Sequence, residues 1–378
     1  RIKPALGASI IQGLRHLYGD VPLVGRQSRA FKLRRVGEEI IRLTDSQLGV
    51  LRQLRDARRM LIQGCAGSGK TTLAVHKAKM AAEAGKSVLL VCFNEPLAAH
   101  LQQVCASHPT ITVGSFHDLC MRWLDSIGRS YHREDTNEFY AETLPNLVVD
   151  AVDELPVRFD AIIVDEGQDF KDTYYVVLEL LVTDPDTATF YIFADSGQNI
   201  YAGTRQYPMS LSPFRLEQNL RNTNQVFRVV KQACALPDDI RPSGVSGPEV
   251  QLVTYASDDT MIQTLESVLA DLIAEGMTPS DIVILGTRAQ YRTTLKYGRT
   301  VGPYKLVPTR DGRNQLLTMT IHRFKGLESR VVIICELDET LRYHEKELLY
   351  IGMTRSTGLL YLLVRATAEE HFRALFGL

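Results

Sequence analysis

The stretch that most constrains the fold of this chain is GCAGSGKTT, residues 64–72. It follows an apolar run, RMLIQ, and leads into a segment with helical periodicity, KTTLAVHKAKMAAEAG. Glycines let backbone N–H groups curl around an anion, and the start of a helix adds a positive dipole. The pattern G-x-x-x-x-G-K-[ST] between a strand and a helix therefore predicts a phosphate-binding loop in a parallel α/β sheet.

Each residue type of this loop has a chemical role. The Lys70 ammonium should reach the β- and γ-phosphates of a nucleotide, and the Thr71 hydroxyl should coordinate Mg²⁺. The residues predicted to bind nucleotide here are Gly64, Ala66, Gly67, Ser68, Gly69, Lys70, Thr71 and Thr72. The loop specifies a nucleoside triphosphatase or kinase and no more, and a small-molecule kinase would leave the second half of the chain without a role.

Polar residues crowd the end of another apolar run, in VDEGQDF, residues 164–170. Carboxylates at the end of a buried strand are costly unless a cation or hydrogen bonds hold them. Beside a phosphate-binding loop they would complete an ATPase site, with Asp165 holding Mg²⁺ and Glu166 orienting and deprotonating the attacking water. Gln168 would contact the γ-phosphate region, and Asp169 is expected to brace a basic neighbour.

Strand and helix patterns alternate along most of the chain, in two halves. In the first half the strand candidates are RMLIQ, SVLLVCF, TITVGS, DAIIVDE and TFYIFAD. In the second half, from about residue 215, they are VQLVTYA, DIVILGT, QLLTMTI, RVVIICEL and GLLYLLV. This β-α alternation predicts parallel sheets that helices cover on both faces.

The composition excludes several classes of protein. Of the 378 residues, 45% are hydrophobic and 23% are charged, and no apolar run has the length of a membrane span. The net charge of −1 means that contact with any polyanion must use a local patch. The six cysteines form no C-x-x-C pair, so buried, reduced thiols of a cytoplasmic protein are favoured over zinc ligands or disulfides.

The stretch VDEGQDF resembles the signature of superfamily 1 helicases of the UvrD/Rep type, and further motifs occur in that family's order across residues 43–366. The stretch LTDSQ resembles the family's Q motif, which implies that Gln47 contacts the adenine edge. The same residues, 44–47, also fit a helix capping box, and both roles stay open.

Several stretches resemble the family's DNA-contacting motifs. They are VCFNEPLAAHL, TVGSFHDLC, FADSGQNIY and LTMTIHRFKGLES. The nucleic-acid-binding residues that these resemblances imply are Phe93, Asn94, Ser115, Phe116, His117, Tyr201, Thr320 and His322.

The same resemblance implies further contacts to nucleotide. Gln198 would lie at the γ-phosphate, and Gly326 and Glu328 would face the nucleotide. The stretches LEQNLRNT and LLYIGMTRST resemble the family's N-Y-R-S and V-A-x-T-R-A motifs, which implies that Arg221 and Arg355 are two arginine fingers. The catalytic residues expected for ATP hydrolysis are Lys70, Glu166, Gln198, Arg221 and Arg355.

Three departures from the family pattern stand out. Leu220 replaces a Tyr that stacks on adenine, although Leu can still pack on a ring. Ala202 and Gly203 replace an aromatic-Arg pair that helps to stack single-stranded bases. About 95 residues separate NLRNT from TIHRFKGLE, which leaves no room for the large insert of UvrD-type helicases. The sequences of these motifs resemble those of compact helicases that are joined to a nuclease-related domain.

The resemblance implies an α/β fold with two RecA-like parallel-sheet domains, a P-loop NTPase tandem, and a small helical insert at about residues 118–158. The expected division is a basic segment or linker at 1–36, a first domain at 37–214 and a second domain at 215–378. The implied function is ATP- and Mg²⁺-dependent translocation or unwinding on single-stranded DNA, in the 3′-to-5′ direction, in DNA repair or defence. A switch module that gates a partner nuclease, and an RNA-directed helicase, remain as alternatives.

Overall fold

The computed structural model describes residues 28–54, 57–195, 207, 213–341 and 345–378, with the side chains of residues 44–48, 50–53 and 345 outside that description. Within the described residues, the chain forms two sheets of the α/β type, one in each half, as the alternating pattern predicted. Helices cover the faces of both sheets.

The first sheet has six parallel strands, in the order β3-β2-β4-β5-β1-β6. The strands are β1 (Arg59–Gly64), β2 (Val88–Cys92), β3 (Ile111–Ser115), β4 (Ala161–Val164), β5 (Thr189–Asp195) and β6 (Phe214–Leu216). Every residue of β2, β4 and β5 is buried, because a parallel sheet is covered on both faces. These strands were predicted as apolar runs for the same reason.

The helices of the first half surround this sheet. They are α1 (Arg29–Gln53), α2 (Lys70–Glu83), α3 (Glu95–Cys105), α4 (Phe116–Ser126), α5 (Leu144–Asp150) and α6 (Asp172–Leu180). A π-helical turn (Phe139–Thr143) leads directly into α5, and 3₁₀ turns lie at Val152–Glu154 and Gly167–Asp169. The small insert that was predicted at about residues 118–158 is largely helical.

The second sheet is mixed, in the order β7-β13-β12-β8-β11-β10-β9. Its strands are β7 (Gln251–Tyr255), β8 (Ile282–Gly286), β9 (Thr300–Val301), β10 (Tyr304–Val307), β11 (Gln315–Thr320), β12 (Ser329–Leu337) and β13 (Ser356–Arg365). Only the β9–β10 pair is antiparallel among the described strands. That short hairpin was not predicted, since its two strands together hold six residues and carry no clear apolar alternation.

In the described part of the second half there are four α-helices. They are α7 (Asn224–Cys234), α8 (Asp258–Ala274), α9 (Glu345–Met353) and α10 (Glu369–Phe376), with 3₁₀ turns at Pro279–Asp281, Glu339–Leu341 and Ala366–Ala368. A capping box in which Ser257 and Thr260 exchange hydrogen bonds fixes the start of α8. No helix in the described parts of the chain is both long and apolar enough to cross a membrane.

Helix α1 corrects two expectations. It begins at Arg29, so residues 29–36 are not a linker, and Leu33 is fully buried in the core of the second sheet. The Arg29 guanidinium also donates to the Tyr361 hydroxyl on β13, at 2.9 Å. The capping-box interpretation of residues 44–47 is wrong, because these residues lie inside the helix rather than at its start.

Two smaller points concern the boundary and the cysteines. The expected division between residues 214 and 215 falls inside β6, which completes the first sheet beside β1. All six cysteines are free and buried, which confirms the expectation of reduced thiols.

Candidate nucleotide cleft and nucleic-acid surface

The phosphate-binding loop connects β1 to α2, as the sequence predicted. Gly67 and Gly69 have φ angles of 77° and 85°, in the left-handed region that favours glycine. A Cβ atom on Gly67 would lie 2.8 Å from Cβ of Arg221, which belongs to the segment after β6. The loop therefore depends on glycine both for its own turn and for the close approach of that segment.

Lys70 lies inside the loop and is only 5% exposed. Its ammonium donates to the carbonyl oxygens of Gly64 and Cys65, at 2.9 Å each, and lies 3.4 Å from Asp195 Oδ2. The cation is thus held at the first turn of α2, where a nucleotide's phosphates would meet the helix dipole.

Asp165, directly after β4, carries an unusual carboxylate. It is fully buried; Oδ1 accepts the Glu166 N–H at 3.1 Å, while Oδ2 has no hydrogen-bond partner among the described residues. Burial, followed by the negative charge of Glu166, raises the pKa of Asp165. The Ser68 hydroxyl, in the phosphate-binding loop, is also buried and has no hydrogen-bond partner in the part of the chain that the structure describes. Buried oxygen atoms without partners are the donors that a hard divalent cation takes, so these residues fit Mg²⁺.

Glu166 is held in a strained conformation with a φ angle of 55°, which costs a non-glycine residue about 1–3 kcal/mol. Burial opposes its ionisation, but the positive charges of Lys325, Lys70 and Arg355 outweigh that effect and lower its pKa. The Gln168 amide donates to Glu166 Oε2, which orients the carboxylate. An ionised, oriented carboxylate next to a phosphate-binding loop can accept a proton from water.

Gln168 connects two strand ends rather than standing free in the cleft. Besides its bond to Glu166, its side-chain oxygen accepts the backbone N–H of Asp195 at 2.8 Å. Asp195 ends β5, which leads into residues 196–206. The predicted Gln198 and Tyr201, and the substituted Ala202 and Gly203, lie outside the described residues, as does the side chain of Gln47.

The second domain reaches the carboxylates of the first through Lys325. Its ammonium lies 2.7 Å from Asp169 Oδ1 and 3.9 Å from Glu166 Oε2. The expectation that Asp169 braces a basic neighbour is therefore confirmed, and the neighbour comes from the other domain. Sequence reasoning missed Lys325 although it stands in the motif HRFKGLE, because its partner cannot be inferred from spacing.

Tyr350, on α9, makes a second contact between the domains. Its hydroxyl accepts the Ala66 N–H of the phosphate-binding loop at 2.6 Å and donates to Asp195 Oδ1 at 3.1 Å. The side chain is almost fully buried. Sequence reasoning missed this residue too, although it lies in the quoted motif LLYIGMTRST.

Two asparagines link the phosphate-binding loop to the segment around Arg355. Asn219 Nδ2 donates to the Ala66 carbonyl at 2.9 Å and to Asn222 Oδ1 at 2.7 Å. Asn222 Nδ2 donates in turn to the carbonyls of Thr354 and Ser356, at 3.2 and 2.7 Å. Both asparagines are buried, so this chain of amides is shielded from water.

The two predicted arginine fingers lie together at the cleft. The Arg221 N–H donates to the Gly67 carbonyl at 3.1 Å, and its guanidinium pairs with Glu328 at 2.6 Å. The Arg355 guanidinium is buried and donates to the Ile351 carbonyl at 3.0 Å and the Thr354 hydroxyl at 3.1 Å. Burial, followed by the charge of Arg221, lowers the pKa of Arg355 to about 10.

A cavity of about 550 Å³ opens between the domains at this point. Its lining includes predicted residues from both domains, namely Thr71, Thr72, Arg221, Gly326 and Glu328, and α1 contributes Gly37, Ile40 and Ile41. Its volume falls in the range of small-molecule sites. A larger cavity of about 710 Å³, between α1 and residues 246–251, contains none of the predicted site residues.

Leu220 and Gly326 contact the first domain in ways that spacing did not show. Leu220 is 2% exposed, and its N–H donates to the Gly67 carbonyl at 2.8 Å. The expectation that its side chain packs on an adenine ring is therefore wrong, because the buried side chain offers no face to a ring. Gly326 has a φ angle of 82°, and a Cβ atom there would lie 2.6 Å from Leu97 Cδ2 on α3.

The predicted nucleic-acid residues gather where strands of both sheets end. Phe93 follows β2, and its ring lies edge-on to that of His117 with centroids 5.3 Å apart. Asn94 caps α3 by accepting the Leu97 N–H at 3.2 Å, and its amide donates to the carbonyl of His322 at 3.4 Å. Thr320 ends β11, beside His322.

Two of these predictions are corrected by burial. Phe116 is fully buried, with its ring stacked on Tyr174 at a centroid distance of 4.4 Å, and the Ser115 side chain is buried as well. Both residues therefore support the surface from below and do not present side chains to a nucleic acid.

Comparisons with known proteins match both halves. Residues 315–363 match the family described as UvrD-like helicase C-terminal domain, and residues 47–204 match the family described as AAA domain. The first match contains Lys325, Tyr350 and Arg355, and the second contains the phosphate-binding loop and Glu166. No curated protein matches the chain.

Among solved structures, the chain is similar to the C-terminal domain of a possible DNA helicase from Lactobacillus plantarum WCFS1. The two are 20% identical, with a TM-score of 0.31, and the match covers 38% of this chain and 86% of that one. It is also similar to an arterivirus helicase, nonstructural protein 10, with 11% identity, a TM-score of 0.42, and coverage of 90% of this chain and 64% of that one.

Proposed function

We propose, from the premise that this chain is a UvrD-like helicase and hence an ATP-hydrolysing enzyme, that it is a translocase on single-stranded DNA which moves in the 3′-to-5′ direction. The observation that carries the proposal is the shared cleft. There Arg221 of the second domain contacts the phosphate-binding loop, Lys325 pairs with Glu166 and Asp169, and the charge of Arg355 acts on Glu166. Residues from both domains thus surround the place where ATP would bind.

The residues of the cleft can be assigned to steps of ATP hydrolysis. Lys70 and the loop N–H groups would bind the phosphates, and Thr71 with Asp165 would hold Mg²⁺, which would neutralise phosphate charge. Glu166 would take a proton from water as the water oxygen attacks the γ-phosphorus. The bond from that phosphorus to the oxygen of ADP then breaks, and its electron pair stays with ADP.

The contacts between the domains support coupling of hydrolysis to movement. Ala66, Gly67 and Glu166 are each touched by a group from the second domain: the Tyr350 hydroxyl, the N–H of Arg221 and the Lys325 ammonium. Phosphates arriving in the loop, or leaving it, would change the charge that these groups experience. A cleft whose opening depends on nucleotide would shift the two strand-end surfaces relative to each other.

A single strand would lie across the ends of both sheets, over Phe93, His117, Thr320 and His322. The chain's near-zero net charge is compatible with such a local surface. DNA is proposed over RNA on the family resemblance, and the six buried free thiols support a cytoplasmic location.

A second candidate is a switch module, in which ATP and DNA gate a partner nuclease without productive unwinding. Between α7 and β11, the described chain holds β7, α8, β8 and the β9–β10 hairpin, and no large helical insert. In UvrD-type relatives such inserts contribute or regulate a surface for the duplex. The chain alone is therefore expected to unwind long duplexes poorly.

The experiment that tests the proposal measures ATP hydrolysis with no nucleic acid, with single-stranded DNA, with double-stranded DNA and with RNA. Stimulation by single-stranded DNA, together with displacement of streptavidin from the 5′ end of a labelled strand, would support translocation in the 3′-to-5′ direction. Stimulation without displacement would favour the switch, and stronger stimulation by RNA would favour an RNA-directed enzyme. Hydrolysis that no nucleic acid stimulates would refute all three.

A further inference from the structure

The helical insert of the first domain carries an aromatic residue to the edge of the candidate nucleic-acid surface. Tyr140 stands in the π-helical turn, and its ring centroid lies 5.2 Å from that of His117. His117 in turn lies 5.3 Å from Phe93. The three rings form a row that begins at the end of β2 and continues onto the insert.

Hydrogen bonds and a buried neighbour hold the backbone around Tyr140 in place. The Tyr174 hydroxyl, on α6, donates to the Tyr140 carbonyl at 3.2 Å and lies 3.2 Å from His117 Nε2. The Thr173 hydroxyl donates to the Ala141 carbonyl at 3.3 Å, and the neighbouring Phe139 is buried. The row of rings is thus fixed before any ligand arrives, so little ordering would be lost on binding.

Charge around the row is mixed. The Arg133 guanidinium donates to the Tyr140 hydroxyl at 3.1 Å, and both Arg133 and Lys171 are exposed. Exposed acids, Glu134, Asp135 and Glu138, lie nearby in the sequence. Burial lowers the pKa of His117 to about 4, and the charge of Lys171 acts in the same direction, so the middle ring is neutral at pH 7.

From this arrangement we infer that Tyr140, with His117 and Phe93, forms a stacking subsite for bases of a single-stranded nucleic acid, and that Arg133 holds the phosphate next to it. The inference rests on the proposed function and adds the insert to the surface. Because acids close by in the sequence offset the cations, stacking rather than charge must supply most of the affinity at this subsite. Such a subsite would replace the stacking lost at Ala202 and Gly203, where the family has an aromatic-Arg pair.

The test uses the full chain and fluorescence anisotropy with a labelled oligothymidine of about 20 nucleotides, long enough to span a motor of this kind. Stacking of one base is worth about 5- to 150-fold in affinity, so Tyr140→Ala should raise the dissociation constant within that range. Tyr140→Phe keeps the ring and should bind like the wild type. Arg133→Ala should reduce the slope of log affinity against log salt by about one, and Tyr140→Ala should leave that slope unchanged.

A matched control is available in the second domain. Tyr291 is 74% exposed and its ring lies 5.2 Å from the Arg292 guanidinium, so Tyr291→Ala removes an aromatic beside an arginine that is more exposed than Tyr140. It should not change the affinity.

Equal affinity of the wild type, Tyr140→Ala and Tyr291→Ala for the oligonucleotide would overturn the subsite while leaving the proposed function standing. A wild type that binds no single strand would overturn both. If Tyr140→Ala lowers the melting temperature, Tyr140→Leu keeps the apolar volume without a ring, and wild-type affinity in that folded variant would refute stacking.

Discussion

Replacing Asn222 with alanine should weaken the orientation of the Arg355 side chain, although the two side chains share no hydrogen bond. The Asn222 amide donates to the two carbonyls that flank Arg355, those of Thr354 and Ser356, and its oxygen accepts from Asn219. All four groups are buried, and no water could replace the lost amide without rearrangement. The Arg355 guanidinium, whose own bonds go to nearby backbone and to Thr354, would lose the frame that orients it.

The size of the effect can be estimated from these contacts. Leaving buried polar groups without partners costs about 1–3 kcal/mol each, and the groups share one network, so the free energy of unfolding should fall by about 2–4 kcal/mol. A displacement of a catalytic group by about 1 Å can cost on the order of 10²-fold in rate. We therefore expect kcat for ATP to fall by about that factor, with KM changed far less.

The assay is steady-state ATP hydrolysis combined with urea unfolding, on Asn222→Ala, Arg355→Ala and the double variant. Asn222→Asp is the close substitution, because it keeps the shape and cannot donate to the two carbonyls, so it should lose rate as alanine does. Asn224→Ala is the matched control: its side-chain oxygen accepts the Gly244 N–H at 3.0 Å instead of bonding to the residues that flank Arg355, so kcat should be unchanged.

If Asn222 acts through Arg355, removing its side chain should cost almost nothing more once Arg355 is already alanine. If Asn222→Ala lowers kcat by the same factor in the wild-type and Arg355→Ala backgrounds, the two effects are additive and Asn222 does not act through Arg355. A loss confined to unfolding stability, with kcat intact in the folded variant, would refute action through Arg355 as well.

Glu166→Gln should keep ATP binding and lose about 10²–10⁴-fold in hydrolysis, and near-normal turnover would remove its assignment as general base. Arg221→Ala should lower kcat by about 10³-fold or more and ATP affinity much less; a change in KM alone would contradict a finger role. Binding of single-stranded DNA should weaken steeply with salt, and salt-insensitive binding would point away from phosphate contacts. The lowered pKa of His117 means that the unfolded chain takes up its proton near pH 6.5 but the folded chain only near pH 4, so stability is lost as pH falls through that window. Urea unfolding at pH 7 and pH 5 should therefore show a loss about 1–2 kcal/mol smaller in His117→Gln than in the wild type, and equal losses would contradict the shift.

Much of the fold could be predicted because local patterns decide it. The apolar strands of parallel sheets and the glycine loop between β1 and α2 leave clear marks in the sequence. Burial of Phe116 was also open to prediction, since Phe116, Leu119, Cys120, Trp123 and Leu124 have the spacing of one helix face, and all five are buried. The resemblance to a DNA-contacting motif drew attention to the residue instead of to its position on the helix.

The contacts between the domains could not be predicted in the same way. Lys325 with Asp169, Tyr350 with Ala66, and Arg221 with Gly67 each join residues that are far apart in the sequence. Spacing within a motif says which residue types occur, whereas the partner depends on how two sheets come together. The left-handed backbone conformation of Glu166 could not be predicted from the sequence either, because the surrounding structure imposes it.

Helix α1 has a consequence for the order of assembly. Its apolar side, which includes Leu33, is buried against β13, and a Cβ atom on Gly358 would lie 2.6 Å from Leu33 Cδ2. The ribosome makes this helix before either sheet, yet the strand that receives it is synthesised more than three hundred residues later. While the first domain folds on emerging, the part of α1 around Leu33 stays uncovered, in the state that chaperones recognise. This part of the helix is thus among the last to be buried, and newly made chains that stop short of residue 356 would leave Leu33 without the strand on which it packs.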